Sequence, residues 1–322
     1  MKQVKWGVLG TARIARNAVI PAMQEADNCA LYAVAGRKPE KAEQFRQEFG
    51  FEKAYGSYEE LLADPQVEAV YIPLPNALHA PWVIRALEAG KHVLCEKPLA
   101  INEAEALRMF DAAEKNGVHL MEAFAYLHSP FMDAVKGEID SGAIGDIVYM
   151  DSAFINRKCP PDDFRFFRNS YGGSVYDLGC YSISMIQWML GREPARVQAV
   201  ARMSDQGIDL LTSGILTFDT GAEATFDCAM LLDTGRFDRF RIHGTEGEIT
   251  SAIRFNQAGE ISYTLSRKGV SETKTVFAPN NYRLEVEQLG RCITDGESPR
   301  VSKAFSLSVA RTIDRVLAEI GY

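Results

Sequence analysis

A glycine turn between an apolar strand and a helix constrains this chain more than any other feature. The run Val4–Leu9 predicts a strand, and Gly10-Thr11-Ala12-Arg13-Ile14-Ala15 then opens a helix. Strand, turn and helix in this order place backbone N–H groups and the positive end of a helix against a pyrophosphate. Ala12 stands where the usual glycine pattern has its second glycine, so the turn alone is also compatible with a purely structural role.

The residues that follow the second predicted strand indicate which dinucleotide the turn would hold. This strand, Leu31–Ala35, runs into Gly36-Arg37-Lys38 without a carboxylate. A carboxylate at this point binds an unphosphorylated ribose, whereas an arginine accommodates a 2′-phosphate. We therefore expect NADP rather than NAD as cofactor, with Arg37 at its 2′-phosphate.

Length and composition limit the possible classes. A chain of 322 residues suggests two domains, and a net charge of -8 argues against a nucleic-acid partner. No apolar stretch approaches the roughly 20 residues of a membrane span, and the N-terminus has no apolar signal region. The six cysteines and five histidines lack C-x-x-C and H-x-x-x-H spacings. We therefore expect a cytoplasmic protein with reduced thiols, no metal site and no membrane partner.

The first 123 residues alternate short apolar runs with helical patterns. Strands are predicted at Val4–Leu9, Leu31–Ala35, Ala69–Ile72, His92–Cys95 and His119–Ala123. Short, continuously apolar strands of this kind are typical of buried parallel sheets. The alternation with helices predicts an α/β domain of residues 1–123, a Rossmann domain with a doubly wound parallel sheet.

The rhythm changes in residues 124–322. Helices are predicted near Pro130–Ser141, Tyr176–Leu190, Tyr282–Asp295 and Lys303–Ile320. Strands with period-two alternation are predicted at Ile147–Asn156, Val197–Arg202, Gly214–Phe218, Ala222–Met230, Phe237–His243 and Ile261–Leu265. This pattern predicts a second, α+β domain with a large, mostly antiparallel open sheet that helices cover on one face.

Two short segments carry residues suited to acid–base chemistry. Glu96-Lys97-Pro98 directly follows the strand His92–Cys95, at an end where parallel strands face their ligand crevice. A surface lysine before a proline turn explains Lys97 equally. Asp177 and Tyr181 lie four residues apart at the start of a predicted helix and share one face. A tyrosine donates a proton well when a nearby lysine lowers its pKa. A helix-terminus carboxylate and a packed aromatic ring are the structural alternative.

These segments together resemble the glucose–fructose oxidoreductase / inositol dehydrogenase family, Gfo/Idh/MocA, over essentially the whole chain. The resemblance rests on the turn at Gly10, the segment from Pro73 to His79, Glu96-Lys97-Pro98 and the segment from Gly172 to Tyr181. It implies a pyridine-nucleotide oxidoreductase with a Rossmann domain. It also implies a C-terminal substrate domain whose open sheet forms the interface of a homodimer or homotetramer.

The resemblance assigns roles residue by residue. Lys97 corresponds to the family's active-site lysine and Asp177 to its conserved acid. Many members place a histidine four residues after that acid, where this chain has Tyr181. In this respect the chain is similar to the branch of NADP-dependent xylose dehydrogenases and dimeric dihydrodiol dehydrogenases. There the tyrosine exchanges the proton, which favours aldose or ketose chemistry over inositol oxidation.

Further binding residues follow from the same resemblance. The expected cofactor-binding residues are Gly10, Thr11, Ala12, Arg13, Ile14, Arg37, Leu74, Asn76, His79, Glu96 and Lys97. The expected substrate pocket contains Tyr126, His128, Arg165 and Tyr282. Each pocket residue could equally be structural, and Asn76 could simply cap a helix.

The expected function is hydride transfer between the nicotinamide of NADP and the carbinol or carbonyl carbon of a sugar or a sugar-like polyol. Two other classes remain open. One is a glycosidase that retains its nucleotide and catalyses no net redox change, as some relatives do. The other is a nucleotide sensor without catalysis, against which the presence of Lys97, Asp177 and Tyr181 argues.

Overall fold

The chain forms two compact units in a computed structural model that describes residues 2–156, 160, 163–230, 236–252 and 254–322. Unit 1 comprises Met1–His128 and Asn280–Leu307, and unit 2 comprises Ser129–Pro279 and Ser308–Tyr322. The prediction had divided the chain once, after residue 123. The difference arises because the segment Asn280–Leu307 returns to the first unit after the second sheet is complete.

A six-stranded sheet forms the centre of unit 1. Its strands are β1 (Val4–Leu9), β2 (Cys29–Ala35), β3 (Lys53–Tyr55), β4 (Ala69–Ile72), β5 (His92–Glu96) and β6 (Leu120–Ala123). The order is β3-β2-β1-β4-β5-β6, and every pair is parallel. The order reverses between β1 and β4, which is the topological switch point where such sheets bind their ligands. The predicted doubly wound parallel sheet is confirmed.

Helices connect these strands. They are a π-helical turn (Ala15–Val19) that continues into α1 (Ile20–Glu25), then α2 (Pro39–Phe49), α3 (Tyr58–Ala63), α4 (His79–Glu88) and α5 (Glu103–Asn116). Ser57 and Asn102 each cap a helix, because their side chains accept hydrogen bonds from the backbone N–H groups of Glu60 and Glu105.

An eight-stranded sheet forms the centre of unit 2. Its strands are β7 (Ile147–Ile155), β8 (Arg196–Met203), β9 (Asp209–Thr217), β10 (Glu223–Ala229), β11 (Phe237–Gly244), β12 (Gly247–Ser251), β13 (Gly259–Arg267) and β14 (Val270–Ala278). The order is β14-β13-β12-β11-β7-β10-β9-β8, and only β7 and β10 pair in parallel among the described strands. The prediction omitted β3, β12 and β14. The strand β14 begins with the exposed residues Val270 to Glu272. It therefore lacks, at its start, the alternation of buried and exposed residues by which a strand is recognised.

Helices cover one face of the second sheet. They are α6 (Pro130–Asp140) and α7 (Cys180–Leu190), the latter preceded by a π-helical turn, Val175–Gly179. On the covered side, the Tyr263 hydroxyl of β13 donates to the Glu138 carboxylate of α6 over 2.8 Å. On the opposite side, Val200, Ile215 and Phe237 are 71%, 43% and 45% exposed. The sheet therefore keeps apolar side chains on an open face.

Two helices, α8 (Asn281–Asp295) and α9 (Lys303–Glu319), close the chain. Among the described residues, no helix is long and apolar enough to cross a membrane. Five cysteines in the described ranges are buried and form no disulfide with one another, and Cys159 lies outside these ranges.

Candidate active site

The glycine turn lies at the carboxyl end of β1, beside the switch point of the first sheet. Gly10 has φ +120°, and a Cβ there would lie 3.1 Å from Leu74 Cδ2, so the position favours glycine. Its backbone N–H donates to Ala35 O at the end of β2, over 2.8 Å. The helical segment that follows begins at once, since Arg16 N already donates to Ala12 O. The turn thus presents backbone N–H groups at the place where a pyrophosphate binds.

A cavity of about 480 Å³ opens in front of this turn. Its lining residues come from the ends of β1, β2 and β4 and from two helices: Gly10, Thr11, Ala12, Arg37, Lys38, Lys41, Tyr58, Pro73, Leu74 and Pro75. Five of these, Gly10, Thr11, Ala12, Arg37 and Leu74, had been predicted. Arg13, Ile14, Asn76, His79, Glu96 and Lys97 lie outside this lining.

One side of the cavity is basic. Arg37, Lys38 and Lys41 line it, and no carboxylate does so in the part of the chain that the structure describes. Tyr58 contacts this group: burial raises the pKa of its phenol, and the Arg37 guanidinium opposes that rise. Three cations next to a glycine turn fit a dinucleotide that carries an additional phosphate. Sequence analysis missed Lys41 and Tyr58, although Lys41 lies four residues after Arg37, on the first turn of α2.

Asn76 and His79 follow β4, but His79 is fully buried. Its Nδ1 lies 2.9 Å from Pro98 O and its Nε2 lies 2.7 Å from Leu74 O. Burial lowers the pKa of the imidazole, with both carbonyl oxygens acting in the opposite direction. A fully buried ring cannot contact a nucleotide. The structure therefore gives His79 a different position from the expected one, where it connects the segment after β4 to the segment after β5.

Lys97 follows β5 in an acidic environment. The Tyr71 hydroxyl donates to Glu96 Oε1 over 2.6 Å, and Lys97 N lies 3.3 Å from Glu96 Oε2. Glu122, at the end of β6, accepts a hydrogen bond from Leu99 N over 2.9 Å. Burial raises the pKa of Glu122 to about 7, against the opposing effect of the Lys97 ammonium. The half-buried lysine therefore lies near carboxyl groups at the ends of β5 and β6.

A second buried acid near this position was not predicted. Glu285 of α8 is fully buried, and both its carboxylate oxygens lack hydrogen-bond partners among the described residues. Burial, together with the charge of Glu96, raises the pKa of Glu285 well above its ordinary value. In the sequence, Glu285 is one charged residue within an amphipathic helix, and nothing marks it as buried.

In unit 2, the segment that carries Asp177 and Tyr181 forms a π-helical turn before α7. Arg165 Nε lies 2.9 Å from Asp177 Oδ2, and the guanidinium also reaches Asp163 Oδ1 at 3.0 Å. Arg165, predicted for the substrate pocket, is therefore placed beside the predicted catalytic acid. A π turn inside a helix occurs frequently at functional sites.

Tyr181 lies in an aromatic cluster within unit 2. Its ring centroid is 5.3 Å from that of Phe154 and 5.0 Å from that of Phe255. The tyrosine is largely buried, with 9% of its surface exposed. An apolar surrounding disfavours the phenolate unless a cation lies nearby. Neither phenylalanine was predicted, because each comes from a different strand or loop.

The other substrate-pocket candidates belong to unit 1. Tyr126 and His128 lie in a 3-10 turn after β6 and are 2% and 7% exposed. Burial, with the nearby charges of Arg300 and Arg291, lowers the pKa of His128 to about 3. Tyr282 lies in the first turn of α8, where its N–H donates to the Asn280 side chain. The burial of Tyr126 and His128 is typical of residues that have a structural role in packing.

Comparison with known proteins identifies the class. Residues 4–124 match the family model of oxidoreductases with an NAD-binding Rossmann fold, and residues 132–250 match the GFO/IDH/MocA C-terminal domain. The chain therefore belongs to the Gfo/Idh/MocA family of oxidoreductases, as its motifs predicted. The six-stranded sheet lies within the first match, and strands β7 to β11 of the second sheet lie within the second match.

Individual relatives are similar over most or nearly all of the chain. D-xylose 1-dehydrogenase (NADP⁺) 2 of Haloferax volcanii is 41% identical over 318 residues, which cover 97% of this chain and 95% of the relative. The mouse trans-1,2-dihydrobenzene-1,2-diol dehydrogenase is 35% identical over 70% of this chain and 68% of its own length. A 3-ketoreductase of Actinomadura kijaniata, crystallised with NADP and TDP-benzene, has 30% identity and a TM-score of 0.93, with 99% and 98% of the two chains covered.

Proposed function

We propose that this oxidoreductase uses NADP to interconvert a carbinol and a carbonyl group on a sugar or a sugar-like polyol. The observation that carries the proposal is the cavity at the glycine turn, which Arg37, Lys38 and Lys41 make basic. The Haloferax and Actinomadura relatives, named for NADP-dependent oxidation of xylose and for ketoreduction, support the same cofactor and substrate class. When bound, NADP would supply the nicotinamide ring that exchanges hydride with the substrate carbon.

Arg37 and Lys41 would hold the 2′-phosphate in this proposal. Arg37 follows β2 and Lys41 lies on the first turn of α2, so both cations line the same cavity. A guanidinium forms paired, charge-assisted hydrogen bonds to phosphate oxygens, while an ammonium adds a point charge. Tyr58 beside Arg37 would limit the rotation of the guanidinium.

Tyr181 would exchange the proton of the substrate hydroxyl. Its ring packs against Phe154 and Phe255, which hold it in one orientation, and the residue keeps 9% of its surface exposed. Lys97 would provide the cation that stabilises the phenolate, as the family resemblance implies. Proton exchange by a positioned tyrosine is general acid–base catalysis.

Asp177 would orient the reacting groups as an acceptor of hydrogen bonds. Arg165 Nε lies 2.9 Å from its Oδ2 and offsets its negative charge. Tyr126, His128, Arg165 and Tyr282 remain the proposed substrate contacts. For Tyr126 and His128 this requires a movement that exposes them, because both are buried.

We further propose a cytoplasmic homodimer or homotetramer that forms through the open face of the second sheet. The exposed side chains of Val200, Ile215 and Phe237 on that face support association with a second copy. Neither a nucleic acid nor a membrane is part of this proposal.

The decisive test is turnover on a panel of aldoses, ketoses and polyols with NADP or NAD. The proposal requires nucleotide reduction or oxidation at a rate equal to carbonyl or carbinol formation. Cleavage of a glycoside without added nucleotide would favour the glycosidase alternative. Nucleotide binding without turnover on any member of the panel would favour a sensor.

A further inference from the structure

Asp209 is a buried carboxylate to which the proposed chemistry assigns no role. It is the first residue of β9 and has no exposed surface. Its Oδ2 accepts three hydrogen bonds: from Ser174 Oγ at 2.5 Å, from Val175 N at 2.8 Å and from Thr212 Oγ1 at 2.8 Å. Burial raises the pKa of Asp209, and these three donors oppose the rise. A carboxylate with this number of donors is held firmly in place.

Two of the three donors belong to the first turn of the helix that carries Asp177 and Tyr181. The N–H groups at the start of a helix lack partners within the helix, and a side-chain oxygen usually satisfies one of them. Ser174 occupies the capping position, but its side chain makes no capping bond to its own helix. Its hydroxyl donates to Asp209 instead, and Asp209 accepts the N–H of Val175. Asp209 therefore caps this helix from a neighbouring strand.

The residue before Ser174, Gly173, leaves room for this carboxylate because it has no side chain. Gly173 has φ +116°, and a Cβ there would lie 2.1 Å from Asp209 Oδ1. Only glycine tolerates both the backbone angle and the close approach. Asp177 N in turn donates to Gly173 O over 3.2 Å. A chain of direct contacts thus connects Asp209 to the backbone of Asp177.

The helix needs such support because its first turn is irregular. Residues Val175–Gly179 form a π-helical turn, whose hydrogen bonds span one residue more than those of an α-helix. Such turns are rare, and tertiary contacts are needed to keep them against the α-helical alternative. A change to α-helical pairing would rotate Asp177 relative to Tyr181.

We propose that Asp209 is a positioning residue for the reaction: it fixes the start of the helix that carries Asp177 and Tyr181 and so fixes the orientation of both side chains. This inference rests on the proposed role of Tyr181. A displacement of about 1 Å in a catalytic group can lower turnover by about 100-fold. Asp209 acts through the helix and does not need to contact the substrate.

The test compares Asp209→Asn, Asp209→Ala and Ser174→Ala by steady-state kinetics. We expect kcat to fall by about 100-fold in Asp209→Ala and by about 10-fold in Ser174→Ala, with KM for NADP within about twofold of the parent. Asp209→Asn, which keeps one acceptor oxygen in the same shape, should recover part of the loss. Asp219→Asn removes an exposed carboxylate in the turn after β9 that pairs with Arg192, and it should leave kcat unchanged.

A second arm separates positioning from general support of the fold. Groups that act as a unit are not additive, so Asp209→Asn should lower kcat little further in a Tyr181→Phe background. If Asp209→Asn and Ser174→Ala fold and keep the parental kcat while Tyr181→Phe lowers it, the inference about Asp209 is overturned. The proposed role of Tyr181 would then still stand. The same holds if activity is lost only in proportion to unfolded protein, measured by circular dichroism. Parental kcat in Tyr181→Phe would instead overturn the proposed role of Tyr181, and this inference with it.

Discussion

Arg165 Nε lies 2.9 Å from Asp177 Oδ2. This ion pair joins the loop that precedes Gly172-Gly173 to the π-helical turn that follows them. The two side chains are 28% and 20% exposed, so solvent screens the pair only in part. The guanidinium also pairs with Asp163. Asp177 is therefore held in one orientation by a residue that sequence analysis had placed in the substrate pocket.

Arg165→Gln should lower kcat/KM for the sugar by about 10-fold or more, because Asp177 loses the partner that orients it. The KM for NADP should stay close to the parental value, since the cavity at the glycine turn belongs to unit 1. Arg168→Gln is the matched control: Arg168 lies in the same loop but packs on the Tyr322 ring and donates to Gly207 O. Equal losses in both variants would show that the loop, and not the ion pair, matters.

Arg37→Ala should lower kcat/KM for NADP by about 10-fold to 150-fold and leave that for NAD nearly unchanged. The range corresponds to the roughly 1.5–3 kcal/mol of a charge-assisted hydrogen bond. Arg46→Ala is the control. It removes the ion-pair partner of Glu43 on α2 and should change kcat/KM for neither nucleotide. The measurement is initial-rate kinetics with both nucleotides. Equal efficiency with NAD and NADP in the parent protein would contradict the proposed specificity.

Tyr181→Phe should lower kcat by about 10²–10⁴-fold, the contribution of a positioned general acid or base. NADP binding, measured by fluorescence titration, should barely change because only one hydroxyl is lost. Tyr176→Phe removes a phenol from the same helical segment, where its ring contacts Tyr322, and should retain kcat within about threefold. A saturated Tyr181→Phe enzyme with near-parental kcat would exclude this tyrosine as the proton donor.

Glu122 should make the protein less stable as the pH rises from about 4.5 to about 7. Burial raises its pKa to about 7, so the folded state keeps a proton that the unfolded state has already released. Its favourable contribution is complete below pH 4.5 and is lost as the pH passes 7. At 1.36 kcal/mol per pKa unit, the loss is at most about 3 kcal/mol.

Glu122→Gln removes this titration. The free energy of unfolding of the variant minus that of the parent should therefore increase between pH 5 and pH 7.5. Urea unfolding at several pH values measures that difference. Glu88→Gln, on the exposed part of α4, is the control for the loss of a surface carboxylate. A constant difference for Glu122→Gln would show that Glu122 titrates at an ordinary pKa in the folded protein.

Ile215→Glu should convert the proposed oligomer to a monomer of 35.7 kDa. Ile215 is 43% exposed on the open face of the second sheet, and a carboxylate there would be buried without a partner in any interface that uses this face. Leu107→Glu is matched in exposure, at 43%, but lies on α5 in unit 1. Light scattering distinguishes the two: an oligomeric Ile215→Glu, or a monomeric parent, would contradict the proposed interface.

Local sequence determined much of this protein, since strand and helix periods, caps and glycine turns depend on neighbouring residues. Val4–Leu9 and Ala69–Ile72 form the strands with the predicted bounds, and Gly10 and Arg37 line the predicted cavity. The motifs around Lys97 and Tyr181 indicated the family because their spacing is specific. These features need no knowledge of distant contacts.

Only the tertiary structure decided which side chains become buried and which distant residues meet. Asp209 reaches Ser174 across 35 positions in the chain, and its hydrogen bonds cap a helix that its own sequence leaves uncapped. His79 is buried between two backbone carbonyls, a position that its motif does not reveal. Which side chains are buried, and which residues they contact, depends on how the sheets and helices pack. The spacing of residues along the chain does not reveal that packing.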